Sequence, residues 1–360
     1  MAVYEMGDEK LDSLIAELIA TTGEGDNRDL IAELMATALK LYRDQPDRGE
    51  LKLFNTALKE MRYSALVFGA YRDVPKVTIF GSARTSPDDI EYQLARDFAH
   101  HMTHERDWMV ITGAGPGIME AGNRGAGPDG SFGVNIRLPF EANANEYIST
   151  SRLINFKYFF TRKLGFVKES NAFTVFPGGF GTMDEAFELL TLVQTGKAPI
   201  HPIVLMEAGG SYWPTWETFV TDELLAKGWI SENDLHLYSI SNSVEAAADE
   251  ICGFYANYHS QRYVNGRLII RLRQEATAEE LEQLNESFGD ILVNGAIEAA
   301  EPSGHERADG DALERARIQL HFNRRSHGRL RQLIDMLNGF VTQAPARGEP
   351  IPSLFLRDPD

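Results

Sequence analysis

The chain has 360 residues, enough for two ordinary domains or one large domain with appendages. With 43% hydrophobic and 24% charged residues it can bury a sizeable core, and 35 Lys and Arg against 53 Asp and Glu leave a net charge of −18. That field repels phosphate backbones and excludes general nucleic-acid binding, though not one local anion pocket, and the single cysteine, Cys252, excludes an intrachain disulfide framework or a cysteine-built zinc site.

Residues 1–70 read as a helical region. Leu11, Leu14, Ile15, Leu18 and Ile19 recur at helical spacing, as do Leu30, Ile31, Leu34, Ala38 and Leu41. Asp26 or Asn27 is placed to cap the second helix, and a third is expected over about 50–68. The N-terminus is acidic and lacks the basic and apolar regions of a signal peptide. No apolar run approaches the length of a membrane span, so a soluble, cytoplasmic protein without a membrane partner is expected.

From Lys76 the pattern changes, and residues 71–260 read as one nucleotide-binding domain. Val77-Thr78-Ile79-Phe80 is a short buried strand that ends in Gly81-Ser82-Ala83-Arg84, and a helix follows over about 89–105. A second strand over 108–112 runs into the glycine-rich stretch 113–117 and another helix. Strands are also expected over 132–136, 173–176 and 203–206, with a helix over about 182–194. Short apolar strands alternating with helices predict an α/β fold, a doubly wound parallel sheet whose ligand sits at the carboxyl ends of its strands. Residues 261–340 read as a small C-terminal α+β unit. It has strands over 267–272, 291–293 and 317–322, a helix over 277–288 opened by a Thr277/Glu280 capping box, a polar loop over 302–311 and a helix over 328–337. Residues 341–360 read as an extended tail.

Three stretches carry chemistry. In FPGGFGTMDE, residues 176–185, glycines let backbone N–H groups approach an anion, Thr182 opens a helix, and Glu185 lies about one turn in. A phosphate cradle beside a carboxylate suits chemistry on a sugar phosphate. The stretch from Thr112 again places glycines between strand and helix, but Gly113, Gly115 and Gly117 do not form the G-x-G-x-x-G dinucleotide fingerprint, which disfavours NAD. Arg162-Lys163 offers a cationic wall in a chain short of positive charge.

PGGFGTMDE, the preceding Arg162-Lys163 pair, Gly81-Ser82 and the loop ending in Met119-Glu120 occur in one order, over about residues 77–205. In these motifs the chain resembles the LOG (Lonely Guy) family, whose members carry PGGxGTxxE and are often mislabelled lysine decarboxylases. It carries GSAR where the short plant-type members have a Gly-Ser-Ser type turn, and it has additional regions at both ends, so it looks like a longer bacterial branch. The resemblance implies a Rossmann-like hydrolase that cleaves the N-glycosidic bond of nucleoside 5′-monophosphates, of the purine or cytokinin type, to free base and ribose 5-phosphate. It assigns catalysis to Glu185 with the help of Arg162. It assigns nucleotide binding to Lys163, Gly178, Gly179, Gly181, Thr182 and Thr191, with Gly81, Ser82, Gly113, Gly115, Gly117, Met119 and Glu120 along the base and ribose side; Glu141 and Asn145 are weaker candidates. No metal or cofactor is implied. The resemblance also implies a homodimer or higher homo-oligomer.

The alternative is a nucleotide- or molybdenum-cofactor-binding carrier, which needs the phosphate cradle but not a carboxylate at C1′. Decarboxylation is disfavoured, since no context for a pyridoxal Schiff-base lysine stands out. In the C-terminal unit, Arg315, Arg317, Arg324, Arg325, Arg329 and Arg331 concentrate positive charge and suggest an anionic effector, or pairing with the acidic body of the protein.

Overall fold

The computed structural model describes residues 4–136, 144–341 and 350–351. It divides into two compact units, Met1–Met61 and Arg62–Asp360. The first holds helices α1 (Glu9–Thr22) and α2 (Arg28–Asp44) and most of α3 (Arg48–Gly69). Met6, Ile15 and Ala36 form its small buried core, with Ile19, Ala32 and Met35 packed against it. Asp8 caps α1 by accepting from Lys10 and Leu11 N–H. Asn27 occupies the cap position of α2, but it is left-handed and makes no side-chain cap, so the expected capping bond is absent there.

The second unit is built on a seven-stranded, all-parallel sheet. In chain order its elements are β1 (Lys76–Phe80), α4 (Ile90–His104), β2 (Met109–Thr112), α5 (Ile118–Gly130), β3 (Ser131–Ile136), β4 (Leu153–Phe156), α6 (Phe159–Glu169), β5 (Ala172–Val175), α7 (Phe180–Gln194), β6 (Ile203–Met206), α8 (Tyr212–Phe219), β7 (Ser239–Ser241) and α9 (Val244–Gly253). β1, β2, β5 and β6 are buried at every position, which is why they read as continuous apolar runs. The sheet also contains β4 and β7, which sequence reading did not find. Both are short edge strands, and Ser-Ile-Ser has no apolar run to mark it.

Strand order is β4-β3-β2-β1-β5-β6-β7. From β1 the chain works outward through β2, β3 and β4, then returns to the other side of β1 as β5. The reversal falls between β1 and β5, so their carboxyl ends open the crevice in which this class of sheet places its ligand.

A four-stranded antiparallel sheet follows, in the order β10-β11-β9-β8, from β8 (Tyr258–Val264), β9 (Arg267–Leu272), β10 (Glu298–Ala299) and β11 (Ala316–Leu320). With it come α10 (Ala278–Phe288), α11 (Gly304–Asp309) and α12 (His327–Gly339). Thr277 and Glu280 form the expected capping box on α10. Two segments differ from expectation. Residues 289–291 are a 3-10 turn that ends in an isolated bridge from Leu292 to Phe322, and the polar loop contains α11, nucleated by a Ser303/Glu306 capping box. Most of the expected tail, residues 342–349 and 352–360, lies outside the described residues.

One apolar core runs through both sheets. Val193 of α7, Tyr255, Leu268, Ile270, Leu330 and Leu333 belong to the same buried cluster. His327, at the start of α12, packs so closely on Gly196, just past α7, that a Cβ there would sit 2.5 Å from its Nε2. Most of the C-terminal arginines are engaged locally. Arg331 is buried between Glu250 and Asp335, Arg329 pairs with Asp290, Arg315 with Glu314, Arg317 is buried and donates to the Ala312 carbonyl, and Arg324 lies over the Tyr263 ring. Arg324 and Arg325 are the two of the six that are exposed. Among the described residues no helix is long and apolar enough to cross a membrane.

Candidate active site

Three loops meet at the switch point, and backbone hydrogen bonds tie them together. Ser82 N–H donates to the Pro177 carbonyl at 3.1 Å, and Ile118 N–H donates to the Ser82 carbonyl at 3.0 Å. The glycines make this approach possible. Gly117 has φ +70°, and a Cβ on it would lie 2.3 Å from the Ser82 carbonyl oxygen. A Cβ on Gly178 would lie 2.1 Å from Thr182 Oγ1 and 3.0 Å from Ser82 N. Tyr212 donates its hydroxyl to the Gly178 carbonyl and so ties α8 to the same loop.

These loops border a cleft of about 780 Å³. Gly81, Ser82, Gly113, Met119, Arg162, Gly178, Gly179, Gly181, Thr182 and Glu185 all line it, so the structure brings together most of the residues singled out in the sequence. Gly179 and Gly181 differ from Gly178, because a Cβ on either would meet no atom within 4 Å. Packing within the protein therefore does not require glycine at 179 or 181, and both border open cleft at the start of α7. Gly179 is the N-cap of that helix and no side chain caps it. The first-turn amides, which have no partner within a helix, thus stand at the cleft wall with the positive end of the helix dipole.

Arg162 is fixed from two sides. Its Nε donates to the Val134 carbonyl of β3 at 2.8 Å, and its guanidinium lies against Gly113, where a Cβ would come within 2.4 Å of Nη2. Lys163, one residue on, turns to another surface of α6. It meets the acidic row of α7, pairing with Asp184 at 2.9 Å, with Glu185 at 3.4 Å and most closely with Glu188. Burial opposes its charge, but the hydrogen bonds to Glu188 and Asp184 and the Glu185 charge outweigh this and hold the ammonium above its ordinary pKa. Burial pushes the Glu185 carboxyl up. Lys163 and Arg162 pull it back, and Glu188 and Asp184 push it further up.

The remaining sequence candidates lie outside the cleft lining. Lys163 and Thr191 border a neighbouring groove with Phe180, Met183 and Phe187. Gly117 is consumed by its contact with Ser82, and the Gly115 carbonyl accepts from Asn145 Nδ2 at 3.1 Å. Glu120 accepts from the Tyr92 hydroxyl at 2.9 Å. Asn145 also donates to Asn123, bracing the β2–α5 loop, and Glu141 is outside the described residues. Sequence reading missed Arg84, Phe159, Phe180 and Asp184, all of which line the cleft. Arg84 was visible in GSAR, and Asp184 with Glu188 at i, i+4 marks an acidic helix row. Among the described residues no group of three or more His, Cys, Asp or Glu is placed to hold a metal ion.

The fold and cleft define a Rossmann-like α/β domain with a helix N-terminus and a carboxylate facing one crevice. Residues 113–251 match a family model described as possible lysine decarboxylase. The chain is 30% identical over 102 residues to the probable cytokinin riboside 5′-monophosphate phosphoribohydrolase LOGL3 of Oryza sativa subsp. japonica, covering 28% of this chain and 46% of that protein. It is 36% identical over 78 residues to the cytokinin riboside 5′-monophosphate phosphoribohydrolase LOG1 of Arabidopsis thaliana, covering 21% and 34%. The matched stretches span less than half the length of these relatives. Among solved structures, the molybdenum cofactor carrier protein MCP from Chlamydomonas reinhardtii is 20% identical over 48% of this chain and 93% of that one, with a TM-score of 0.34, a likeness too loose to bear on function. Over these stretches, which include the PGGFGTMDE cassette, the chain is similar to the LOG phosphoribohydrolases.

Proposed function

We propose that this protein hydrolyses the N-glycosidic bond of nucleoside 5′-monophosphates of the purine or cytokinin type, releasing base and ribose 5-phosphate. The observation that carries this reading is the layout of α7, whose first-turn amides and Glu185 face one cleft. Four residues along a helix advance about 6 Å, a span suited to a phosphate at one end of a ribose and C1′ at the other. Thr182 and the amides of residues 179–182 take the phosphate. The Glu185 carboxylate faces the positive charge that develops at C1′ and accepts a proton from the water whose oxygen bonds there; the base leaves with the bonding electrons of the broken C1′–N bond, and the proton taken up by Glu185 passes to it, which returns the carboxylate. A carboxyl raised by burial suits that proton transfer. Arg162, clamped by Val134 and Gly113, holds the sugar and Glu185 in register.

Lysine decarboxylation, named in the family model's description, finds less support. A Schiff-base lysine must reach its neutral form. Lys163 is held charged by three carboxylates instead.

We also propose a homodimer or higher oligomer. Phe180 is 97% exposed at the cleft rim, with Phe159, Phe160 and Phe187 also exposed, and a second copy would cover them. Light scattering that gives a concentration-independent monomer would refute this.

The reaction is tested by incubating the protein with AMP, GMP, IMP, CMP and isopentenyl-AMP and separating free base by chromatography. At least one purine 5′-monophosphate should be cleaved, and adenosine should be a poor substrate. Glu185→Gln should lower turnover by about 100-fold or more while AMP still binds. Equal turnover of AMP and adenosine would remove the phosphate role of the PGGFGT loop, and near-normal turnover by Glu185→Gln would favour a binding or carrier protein.

A further inference from the structure

Resting on the phosphate-cradle reading above, we infer that Arg84 is the side chain that binds the 5′-phosphate and makes the site selective for phosphorylated over unphosphorylated nucleosides. The sequence expectation placed the cationic wall at Arg162-Lys163. The structure leaves little of that wall for a phosphate. Lys163 faces Asp184, Glu185 and Glu188 outside the cleft lining, and Arg162 is turned toward Val134 and Gly113 on the β2–β3 side. The cleft also presents two carboxylates, Asp184 and Glu185, which repel a dianion. Backbone amides at the start of α7 supply a partial charge only.

Among the described residues, Arg84 adds to the cleft lining a cation that no carboxylate pairs with. It lines the same cleft as Gly178, Gly179, Gly181 and Thr182, on the loop whose Ser82 N–H is bonded to the Pro177 carbonyl beside that cradle. It is exposed, and among the described residues no hydrogen bond or ion pair engages its guanidinium. Its loop is held independently of the side chain, since Arg84 donates its backbone N–H to Ser82 Oγ at 3.1 Å. A guanidinium fork matches two phosphate oxygens and stays charged at every working pH. The chosen ligand is therefore a phosphomonoester on a nucleoside, gripped by α7 amides from one side and by Arg84 from the other.

The test uses the full chain with Arg84→Ala and Arg84→Lys, measuring steady-state kinetics with AMP and calorimetric binding of AMP, ribose 5-phosphate and adenosine. Arg84→Ala should raise KM for AMP and Kd for ribose 5-phosphate about 10- to 100-fold, the range of a lost charge-assisted hydrogen bond, with a much smaller change in kcat. Arg84→Lys should recover part of the loss, because charge returns without the fork. The loss should be confined to phosphorylated ligands. An unchanged KM and Kd in Arg84→Ala, with the parent protein cleaving AMP, overturns the inference and leaves the reaction standing. An equal loss for adenosine also overturns it, since that reports loop damage. If the parent protein binds AMP through Arg84 but cleaves no monophosphate, the proposed reaction fails and the phosphate site stands.

Discussion

The ion cluster on α7 allows the proposed base to be titrated from both directions. Lys163 Nζ lies 3.4 Å from Glu185 Oε2, and both side chains are largely shielded from solvent. A unit charge at that distance is worth about 1 kcal/mol at the dielectric constant of water and about 5 kcal/mol at an effective constant of 20. The open cleft beside Glu185 favours the lower figure. Lys163→Met removes the cation that holds Glu185 ionised and leaves Asp184 and Glu188 to repel it, so the carboxyl rises. Glu188→Gln removes a repelling charge and a competitor for Lys163, so the carboxyl falls.

If ionised Glu185 is the base, activity is present above its pKa and lost as pH falls through it. In the parent protein the acid limb of kcat/KM for AMP should lie above the ordinary glutamate range, as the burial of Glu185 requires. In Lys163→Met it should move up, and in Glu188→Gln it should move down. Rates from pH 4 to 9 in a constant-ionic-strength buffer read both limbs. Failure of the limb to move in Lys163→Met, or a movement to lower pH, would refute the placement of Lys163 beside the base. A KM raised at every pH with the limb in place would instead make Lys163 a nucleotide ligand, the role the family resemblance implies for it.

Two further outcomes follow from packing. Gly178→Ala drives a methyl against Thr182 Oγ1 and the Ser82 backbone, and should cost about 1–3 kcal/mol, seen as a fall in Tm. Gly179→Ala meets no protein atom and should leave Tm in place while raising KM for AMP, so equal Tm losses in the two would contradict the cleft geometry. Deleting residues 262–360 removes Leu268, Ile270, Leu330 and Leu333 from a core shared with α7, and should yield an unfolded or aggregated chain by circular dichroism. A folded, active truncation would show that the shared core is dispensable.

The parts of this molecule that were legible in the sequence are those encoded by local pattern. β1, β2, β5 and β6 are buried on both faces and so appear as apolar runs, and the Thr277/Glu280 box announces α10 within four residues. β7 was hidden because an edge strand of Ser-Ile-Ser carries neither alternation nor an apolar run. Pairings between distant segments were also hidden. Nothing local says that Ser82 will bond Pro177, and hence that Arg84 will line the same cleft as Gly178. Nor does adjacency in sequence imply a shared role. Successive helical residues point about 100° apart, so Arg162 reaches the cleft while Lys163 reaches the Asp184–Glu188 row.

That divergence explains how an acidic protein can offer a site for an anion. Glu185 and Asp184 stand at the cleft next to the helix terminus proposed to hold a phosphate, and unscreened they would repel it. Lys163, which is not part of the cleft lining, offsets part of the row's charge and opposes the upward push of burial on the Glu185 carboxyl. On the proposed reading α7 then acts as a rigid ruler, with its amides and the Arg84 loop at the phosphate end and its carboxylate at C1′. The two ends are joined by consecutive helical turns, so any residue inserted between Thr182 and Glu185 would rotate the carboxylate by about 100° and take it out of the cleft while leaving the phosphate cradle whole.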